Sequence, residues 1–528
     1  MPIVQTHLLT PNELRADTKQ IYNGLDCCVT FEVFSALQRL PQAHSAEIYS
    51  FERAIQAPAL EMMLRGWLVD EYLRRKAVTE LETKLARLEQ ILLAYANAIW
   101  DKPLNPRSRP QMLAFFYGVR EAQGETFPLP GPSFKFTPMW SSKKGVRKLS
   151  MDREALEKLE HYFHAMPIIA VILAIREITK QIEVLSTQIE ADGRMRTSYN
   201  IAGTETGRWS SSGNAWGTGG NLQNINPGLR YIFVADPGWK ICGIDLEQAE
   251  SREVGWLLGT LFNDWTYLDA CEQGDLHTFT ARLIWPNLPW TGDLRRDRKI
   301  ADQIFYRDFT YRDMSKRGGH GSSYLGTPWT MARHLKVPVQ LMVDFQEKFL
   351  HRAFPTMPKW HRWTAQEIQT KSLLTTPFHR TRHFFGRTND DATLREAIAF
   401  VPQSSTADRT NLGLWRIWKH MGSRVKVLHQ NHDAVYFLYR EDDNEREIIS
   451  QALSLMEVEF FHKGRRFVVP GEAKVGWNWA SQHNLAKPSP GWRDEKGTWH
   501  ENRLNWDGLI KWKGEDLRKR TSMMDMVL

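Results

Sequence analysis

Hydrophobic positions recur at helical spacing along several stretches of the N-terminal part of the chain. Residues 46–64 and 71–100 repeat apolar side chains every three or four positions, and residues 152–185 return to the same pattern. Between them, residues 104–149 are rich in Pro, Gly, Ser, Lys and Arg, which is typical of loops. The pattern therefore predicts a helical N-terminal part interrupted by one loop-dominated region.

Two strand patterns further along the chain each carry an aspartate at a strand end. Residues 239–244 form a buried apolar run that leads to Asp245, and a helical pattern follows at once. Residues 424–439 alternate apolar and polar positions, and a polar break at residues 430–433 predicts a β-hairpin with Asp433 at its turn. Because an aspartate before a helix is usually an N-cap, a capping role and a metal-ligand role both stay open for Asp245.

A third pattern combines cationic and ring-bearing side chains at four-residue steps. Its members are Arg312, Lys316, His320 and Tyr324. This spacing places them along one face of a helix, where they could bind a triphosphate and a base, although an exposed basic stripe is the more common explanation. Four glycines share the segment: Gly318, Gly319, Gly321 and Gly326. Since each costs about 1 kcal/mol in a helix interior, we expect a marginal helix that can swing to close on a substrate.

Composition and charge indicate which class of protein this is and in which compartment it is expected. The 528 residues are 42% hydrophobic and 25% charged, which predicts a globular protein of several domains. The net charge of +8 combines 69 basic with 61 acidic residues, as expected of a nucleic-acid groove with an acidic centre. None of the four cysteines belongs to a C-x-x-C pair, so neither a disulfide framework nor a zinc site is expected. Without a signal peptide or membrane-spanning pattern, we expect a cytoplasmic protein with no membrane partner.

Five motifs follow one another along the chain. They are Thr206-Gly207-Arg208, Asn221-Leu222-Gln223-Asn224-Ile225, Asp245-x-x-Gln248-x-Glu250, Arg312-x3-Lys316-x7-Tyr324 and His432-Asp433. Together they resemble the successive motifs of family A DNA polymerases, the group that contains bacterial DNA polymerase I and many phage replicases. Residues 274–277, 402–408 and 475–479 support the resemblance, which covers roughly residues 46–479.

The resemblance implies a helix-rich α+β fold shaped like a right hand, with an antiparallel palm sheet, helical fingers and a helical thumb. It divides the chain into residues 1–40 as an exonuclease-domain remnant or docking segment, 41–200 as thumb and approach to the palm, 201–261 and 391–480 as the two parts of the palm, 262–390 as fingers, and 481–528 as a tail of unassigned role.

The same resemblance implies template-directed extension of a primer 3′-end. Primer–template DNA and dNTPs would be the partners, and two Mg²⁺ ions, or Mn²⁺ as a substitute, the cofactors. The catalytic residues would be Asp245, Asp433 and Lys316, and the metal ligands Asp245, Asp433 and the backbone carbonyl of Leu246. The expected nucleotide-binding residues are Gln248, Glu250, His277, Arg312, Lys316, His320 and Tyr324. The expected DNA-binding residues are Arg208, Asn221, Gln223, Arg230, Arg395, Gln403 and His432.

Individual roles also follow from the resemblance. Glu250 would lie beneath the incoming sugar and exclude a 2′-hydroxyl, Lys316 would protonate the leaving pyrophosphate, and Tyr324 would occupy the template-base position. Arg208 and Gln403 would probe the minor groove, where correct base pairs present acceptors at the same places.

Three positions depart from the family pattern. His320 stands where Phe or Tyr is usual, which puts discrimination against chain terminators in doubt. Ala434 replaces an auxiliary third carboxylate, so we expect activity with altered metal dependence. Leu325 replaces a glycine after Tyr324, which is expected to change how the helix ends.

The N-terminal segment adds an open question about proofreading. Tyr22-x3-Asp26 resembles the last motif of a 3′–5′ exonuclease domain, but no Asp-x-Glu precedes it, so we expect this chain alone not to proofread. Residues 1–40 could be a structural cap, or could complete or dock to a separately encoded exonuclease. The expected setting is a phage replicase in the host cytoplasm.

Two other functions are alternatives to primer extension with dNTPs. A single-subunit RNA polymerase relative is one, against which Glu250 argues. A catalytically weak primer–template-binding protein is the other, which Ala434 and His320 favour.

Overall fold

The computed structural model describes residues 16–39, 46–100, 102–122, 125–143, 146–214, 218–481, 491–493, 499–501 and 508–514. The predicted segment 1–40 is therefore described only over residues 16–39, and most of the predicted tail lies outside the described residues. Within these ranges, no helix has both the length and the apolar character needed to cross a membrane.

The N-terminal part is built from helices and small hairpins. In chain order its elements are α1 (Ala16–Gln38), α2 (Ala46–Ala54), α3 (Gln56–Arg65), β1 (Trp67–Val69), α4 (Glu71–Trp100), α5 (Arg109–Tyr117), β2 (Val119–Ala122), β3 (Glu125–Pro128), β4 (Trp140–Lys143), β5 (Val146–Leu149), α6 (Arg153–Leu159) and α7 (Met166–Leu185). Helix α4 packs along α7, and both bury apolar side chains against α5. The predicted helix 46–64 is two helices that meet at Ile55.

Residues 104–149 hold more regular structure than the loop prediction allows. They contain α5 and two β-hairpins, β2–β3 and β4–β5. Aromatic packing orders the region: the rings of Phe134 and Phe136 stack at 4.9 Å, and Phe134 stacks on Phe116 at 5.5 Å. Local composition does not reveal the contact between Phe116 and Phe134, because it joins residues that lie well apart in the sequence.

The middle of the chain runs from short strands and loops into one long strand and a helix. Its elements are β6 (Arg194–Met195), β7 (Ser198–Asn200), β8 (Ser210–Ser212), two 3₁₀-helices (Leu222–Asn224 and Pro227–Ile232), β9 (Phe233–Val234), β10 (Trp239–Leu246) and α8 (Ala249–Phe262).

A mostly helical region follows. Its elements are α9 (Thr266–Glu272), α10 (Leu276–Ile284), α11 (Leu294–Ala301), β11 (Ile304–Tyr306), β12 (Phe309–Thr310), α12 (Tyr311–Ser323), α13 (Pro328–Leu335), α14 (Val339–Lys348), a π-helical turn (Phe349–Ala353), α15 (Met357–Lys371), β13 (Leu373–Thr375) and β14 (Thr381–His383). The last described elements are α16 (Asp391–Met421), β15 (Val425–Asn431), β16 (Ala434–Arg440), α17 (Glu445–Met456), β17 (Phe460–His462), β18 (Arg465–Phe467), β19 (Gly471–Gly476), β20 (Gly491–Arg493), β21 (Trp499–Glu501) and β22 (Ile510–Lys511).

One five-stranded antiparallel sheet, in the order β15-β16-β10-β19-β22, brings both predicted aspartates to the same place. Asp245 on β10 lies opposite Ala434 on β16, and the backbone N–H of Leu246 donates to the carbonyl oxygen of Asp433 at 3.2 Å. Buried side chains of β10 and β16 pack with those of α16 and α17 in one core. The register of the sheet is therefore tied to its hydrophobic face.

The edge strand of this sheet comes from the tail whose role the sequence left unassigned. Ile510 of β22 lies opposite Val475 of β19. The side chain of Lys511 binds Glu472 on β19. Part of the tail is therefore a strand of the sheet.

Glycines in α12 allow close packing between helices. A Cβ added at Gly318 would lie 2.7 Å from Phe345, and one added at Gly319 would lie 3.1 Å from Phe349. Both glycines are buried, and Thr310 with Asp313 forms a capping box at the start of the helix. These contacts give the glycines a packing role in addition to the predicted mobility, which stays a prediction.

A buried ion pair joins helices α8 and α16. Arg409 Nε donates to Glu253 Oε1 at 2.8 Å, and the two side chains are 0% and 1% exposed. The guanidinium also lies over the rings of Phe460 and Phe467, at 4.6 and 4.9 Å. Such a pair is held in place by its surroundings, and losing one partner leaves a charge buried without compensation.

We predict that Glu253→Ala lowers the free energy of unfolding by about 3–5 kcal/mol, because Arg409 keeps its charge in the core. Urea unfolding followed by circular dichroism measures the change. Asp442→Ala is the control, since Asp442 pairs with Arg440 on the surface and such pairs contribute less than about 1 kcal/mol. Equal losses in the two variants would contradict the prediction.

Candidate active site

A cavity of about 400 Å³ opens where the end of β10 meets helices α10 and α12. Eight predicted site residues line it: Asp245, Leu246, Gln248, Glu250, His277, Lys316, His320 and Asp433. Five further lining residues, which no sequence pattern indicated, are Ser251, Tyr267, Thr280, Ser315 and Phe349. The two aspartates therefore meet Lys316 and His320 of α12 at one site, whereas Arg312 and Tyr324 are not among its lining residues. A larger cavity of about 630 Å³, between α6–α7 and α13, is lined by none of the predicted residues.

The backbone at the end of β10 excludes the capping interpretation of Asp245. Strand β10 continues through Asp245 to Leu246, and the N-cap residue of α8 is Gln248. Gln248 and His432 both adopt the left-handed conformation, with φ of +51° and +57°, so the chain turns sharply beside each aspartate. Asp245 is a strand residue and does not cap α8.

The carboxyl groups of both aspartates are shifted toward the protonated form. Loss of contact with water raises the pKa of Asp245 to about 6; the neighbouring carboxylates of Asp433 and Glu472 add to this shift, and Lys474 opposes it. Burial also raises the pKa of Asp433, with Arg208 opposing the shift. A cation between these carboxylates would relieve their mutual repulsion.

The residues present fit a divalent cation. The Oδ1 atom of Asp433 is buried and has no hydrogen-bond partner, which leaves it available as a ligand. Carboxylate and carbonyl oxygens are the ligands that Mg²⁺ prefers. In the part of the chain that the structure describes, no group of three or more His, Cys, Asp or Glu side chains could hold a metal. A cation here would therefore rely on two carboxylates together with backbone and substrate oxygens, which is a common arrangement for Mg²⁺.

Glu250 is held from two sides. The Arg208 side chain binds Glu250 Oε1 and lies 3.7 Å from Asp433 Oδ1. The Tyr324 hydroxyl donates to Glu250 Oε2 at 3.0 Å. Arg208 thus links Glu250 to Asp433, a predicted metal ligand. Glu250, in the first turn of α8, in turn connects this helix to the end of α12.

Arg312 is fixed by an aspartate that caps a neighbouring helix. Its Nε and Nη2 donate to Asp275 at 2.9 and 3.2 Å, while Asp275 also accepts from the backbone N–H groups at the start of α10. Burial together with the charge of Arg312 lowers the pKa of His277 to about 4. His277 is therefore neutral near pH 7. The segment Gly274-Asp275-Leu276-His277 supports the family resemblance, but the sequence does not predict the hydrogen bonds between Asp275 and Arg312.

The end of α12 shows the effect of two departures from the family pattern. The His320 ring lies 4.9 Å from that of Tyr324. Leu325 adopts the left-handed conformation, with φ of +56°, which a leucine rarely adopts. The helix therefore ends in a turn that a glycine would form with less strain.

The third departure lies directly beside Asp245. Ala434 faces Asp245 from β16, and Glu472 faces it from β19. The carboxylate of Glu472 is paired with Lys474 at 3.4 Å and with Lys511. One cross-strand neighbour of Asp245 therefore carries no charge, and the other carries a charge that is already paired.

The predicted DNA-binding residues occupy varied environments. Gln223 is buried and donates to Gln430 Oε1 at 2.9 Å, and Asn221 accepts from the Ser211 hydroxyl at 2.7 Å. The Arg230 guanidinium lies 4.6 Å from the centre of the Trp479 ring. Two further residues, His432 and Arg395, are exposed, and Gln403 is half-buried. Contact of these residues with DNA stays a prediction.

Comparison with known proteins finds several related polymerases. The chain is 25% identical over 496 residues to DNA polymerase I of Chloroflexus aurantiacus, covering 88% of this chain and 47% of that protein. It is 27% identical over 448 residues to the thermostable DNA polymerase I of Thermus aquaticus, covering 80% and 47%. The chain thus spans about half the length of these relatives.

A solved structure shows the same fold. It is the POL domain of Pol1 from M. smegmatis in complex with DNA primer-template and dNTP, with a TM-score of 0.61, 22% identity, and coverage of 81% of this chain and 69% of that one. This similarity confirms the predicted α+β right-hand fold. The sequence model of DNA polymerase family A matches residues 73–481. Because that match spans most of the chain and includes both aspartates, the chain belongs to DNA polymerase family A.

Proposed function

We propose that the chain is a template-directed DNA polymerase that extends a primer 3′-end with dNTPs and releases pyrophosphate. The observation that carries this proposal is the single cavity that joins Asp245 and Asp433 to Lys316 and His277. Membership of DNA polymerase family A supports it. So does the fold shared with a polymerase domain whose structure contains DNA primer-template and dNTP.

Two Mg²⁺ ions are the proposed cofactors, with Asp245, Asp433 and the backbone carbonyl of Leu246 as ligands. When bound, such ions lower the pKa of the primer 3′-hydroxyl and neutralise charge on the triphosphate. The Oδ1 of Asp433, which accepts no hydrogen bond, and the raised pKa of Asp245 support this assignment.

The cationic face of α12 is the proposed site for the triphosphate. Lys316 lines the cavity and would donate a proton to the leaving pyrophosphate. Arg312 is held in one orientation by Asp275, so less side-chain freedom is lost when it binds a phosphate. His277 would act as a neutral hydrogen-bonding group, since burial holds its pKa at about 4.

Glu250 is the residue that we propose excludes nucleotides with a 2′-hydroxyl; we call this role the sugar gate. Its two oxygens are occupied by Arg208 and Tyr324, so the carboxylate has a fixed position in the cavity lining. A rigid group can exclude a 2′-hydroxyl by steric contact, whereas a mobile one would move aside.

Helix α1 is the proposed contact for a separately encoded 3′–5′ exonuclease. Several of its apolar side chains are exposed, among them Ile21, Leu25, Val29, Phe31 and Val33. A helix that capped the rest of the chain would bury such residues, so their exposure supports docking over the cap interpretation.

We predict that Asp245→Asn and Asp433→Asn each lower the rate of primer extension by more than about 10³-fold, because each removes a charged oxygen ligand. Single-nucleotide extension with Mg²⁺ measures the rate, and fluorescence anisotropy on labelled primer–template measures binding, which should stay nearly unchanged. Asp442→Asn, a change on the exposed end of the same hairpin, is the control. Full activity in either active-site variant would rule out the metal assignment, and loss of DNA binding would point to a structural effect.

We predict that Glu250→Ala raises incorporation of ribonucleotides relative to deoxyribonucleotides by about 10-fold or more, because it removes the group beneath the sugar. The ratio of kcat/KM for dATP and ATP opposite template T measures this selectivity. Glu347→Ala, on the exposed surface of α14, should leave the ratio unchanged. An unchanged ratio in Glu250→Ala would mean that another residue is the gate.

A further inference from the structure

Arg380, which immediately precedes strand β14, and Arg382, within that strand, form ion pairs and do not line the active-site cavity. Arg380 donates to Asp408 from Nε at 3.1 and 3.0 Å and from Nη2 at 2.6 Å. Asp408 is fully buried in the middle of α16. Arg380 also binds Glu52 from α2. The guanidinium is thus locked by carboxylates from two distant parts of the chain.

The loop that precedes Arg208 rests on this locked guanidinium. Gly207 has a φ of +74°, and a Cβ added there would lie 2.7 Å from Arg380 Cζ and 2.8 Å from its Nε. Only a residue without a side chain can approach the guanidinium this closely. The structure therefore explains why the Thr206-Gly207-Arg208 motif has a glycine at its centre: the backbone of Gly207 packs on Arg380.

A second arginine holds the same loop at another residue. Arg382 binds Glu205, and its Nη2 lies 2.7 Å from Glu396 Oε2 on α16. Arg382 lies in β14, and Arg380 is the residue immediately before this strand. A loop held at one point could pivot, whereas a loop held at Glu205 and at Gly207 keeps one orientation.

The held loop leads directly into the active site. Arg208, the next residue, binds Glu250 and approaches Asp433 to 3.7 Å. Its Nε atom is buried and has no hydrogen-bond partner. The position of Arg208 therefore depends on the backbone that carries it as well as on its two carboxylate contacts.

We propose that Arg380 and Arg382 are positioning residues that set where Arg208 meets Glu250 and Asp433, and that they thereby tune selection of the sugar. This inference rests on the proposed function, because it assigns the effect to the polymerase site. Neither arginine touches substrate in this scheme. Both act through the loop at residues 204–208.

A double-mutant cycle tests whether Arg380 acts through Arg208. Arg380→Lys keeps a positive charge beside the buried Asp408 and removes the flat guanidinium beneath Gly207. We expect it to lower the ratio of kcat/KM for dATP over ATP by about three- to tenfold, within the range of coupling between contacting residues. In an Arg208→Ala background, the same change should have no further effect.

Hydrogen exchange followed by mass spectrometry gives a second readout that needs no activity. Exchange of backbone amides at residues 204–209 should be faster in Arg380→Lys and in Arg382→Gln than in the unmodified chain. Arg424→Lys is the matched control, because Arg424 also binds two carboxylates, Asp443 and Glu447, but lies far along the chain from this loop. Its exchange in the loop and its selectivity should both be unchanged.

Each outcome decides the proposal. Unchanged exchange in the loop overturns it whether or not the chain is active, and independent effects of Arg380→Lys and Arg208→Ala on selectivity overturn it as well. If Arg380→Lys does not fold, Arg382→Gln undergoes the same cycle. If the unmodified chain extends no primer, the proposed function fails, and exchange alone then decides whether the arginines hold the loop.

Discussion

The antiparallel pairing of β10 with β16 is the constraint on which the site depends. It places Asp245 opposite Ala434 and joins Leu246 to the backbone of Asp433, although the two aspartates are far apart in the sequence. Successive side chains of a strand alternate between faces, so a shift of one residue would take Asp245 out of the cavity. The opposite face prevents such a shift, because its side chains are buried with those of α16 and α17. The hydrophobic core thus sets the geometry of the polar site.

The cavity has acidic side chains on one side and basic side chains on the other. This distribution suits a polyanionic substrate that binds together with metal cations. The sheet contributes carboxylates whose pKa values are raised, while α12 contributes Lys316 from the other side. Arg208 is the exception on the acidic side, since it contacts both Glu250 and Asp433. Its placement couples the group proposed to select the sugar to a group proposed to bind metal. A small displacement of this one arginine would therefore affect two functions at once.

Much of the fold could be predicted because the patterns that indicate it lie within short stretches of the sequence. The helix predicted at residues 71–100 is α4 (Glu71–Trp100), the hairpin around Asp433 is present, and the right-hand fold and family are confirmed. The loop prediction for residues 104–149 was only partly right, because stacking of Phe134 on Phe116 and Phe136 orders that region. The edge strand β22 was missed for a similar reason: a short strand with no periodicity of its own is recognised only through its partner.

The sequence by itself determined the family, the order of the motifs and the set of residues able to carry out the chemistry. Tertiary structure alone decided what each of them contacts. It made Asp245 a strand residue instead of a helix cap, clasped Arg312 with Asp275, and packed Gly207 on Arg380. The physical reason is that periodicity and motif spacing report on neighbours along the chain. A hydrogen bond between side chains from different elements depends on register, helix packing and the exclusion of water, which exist only once the chain has folded.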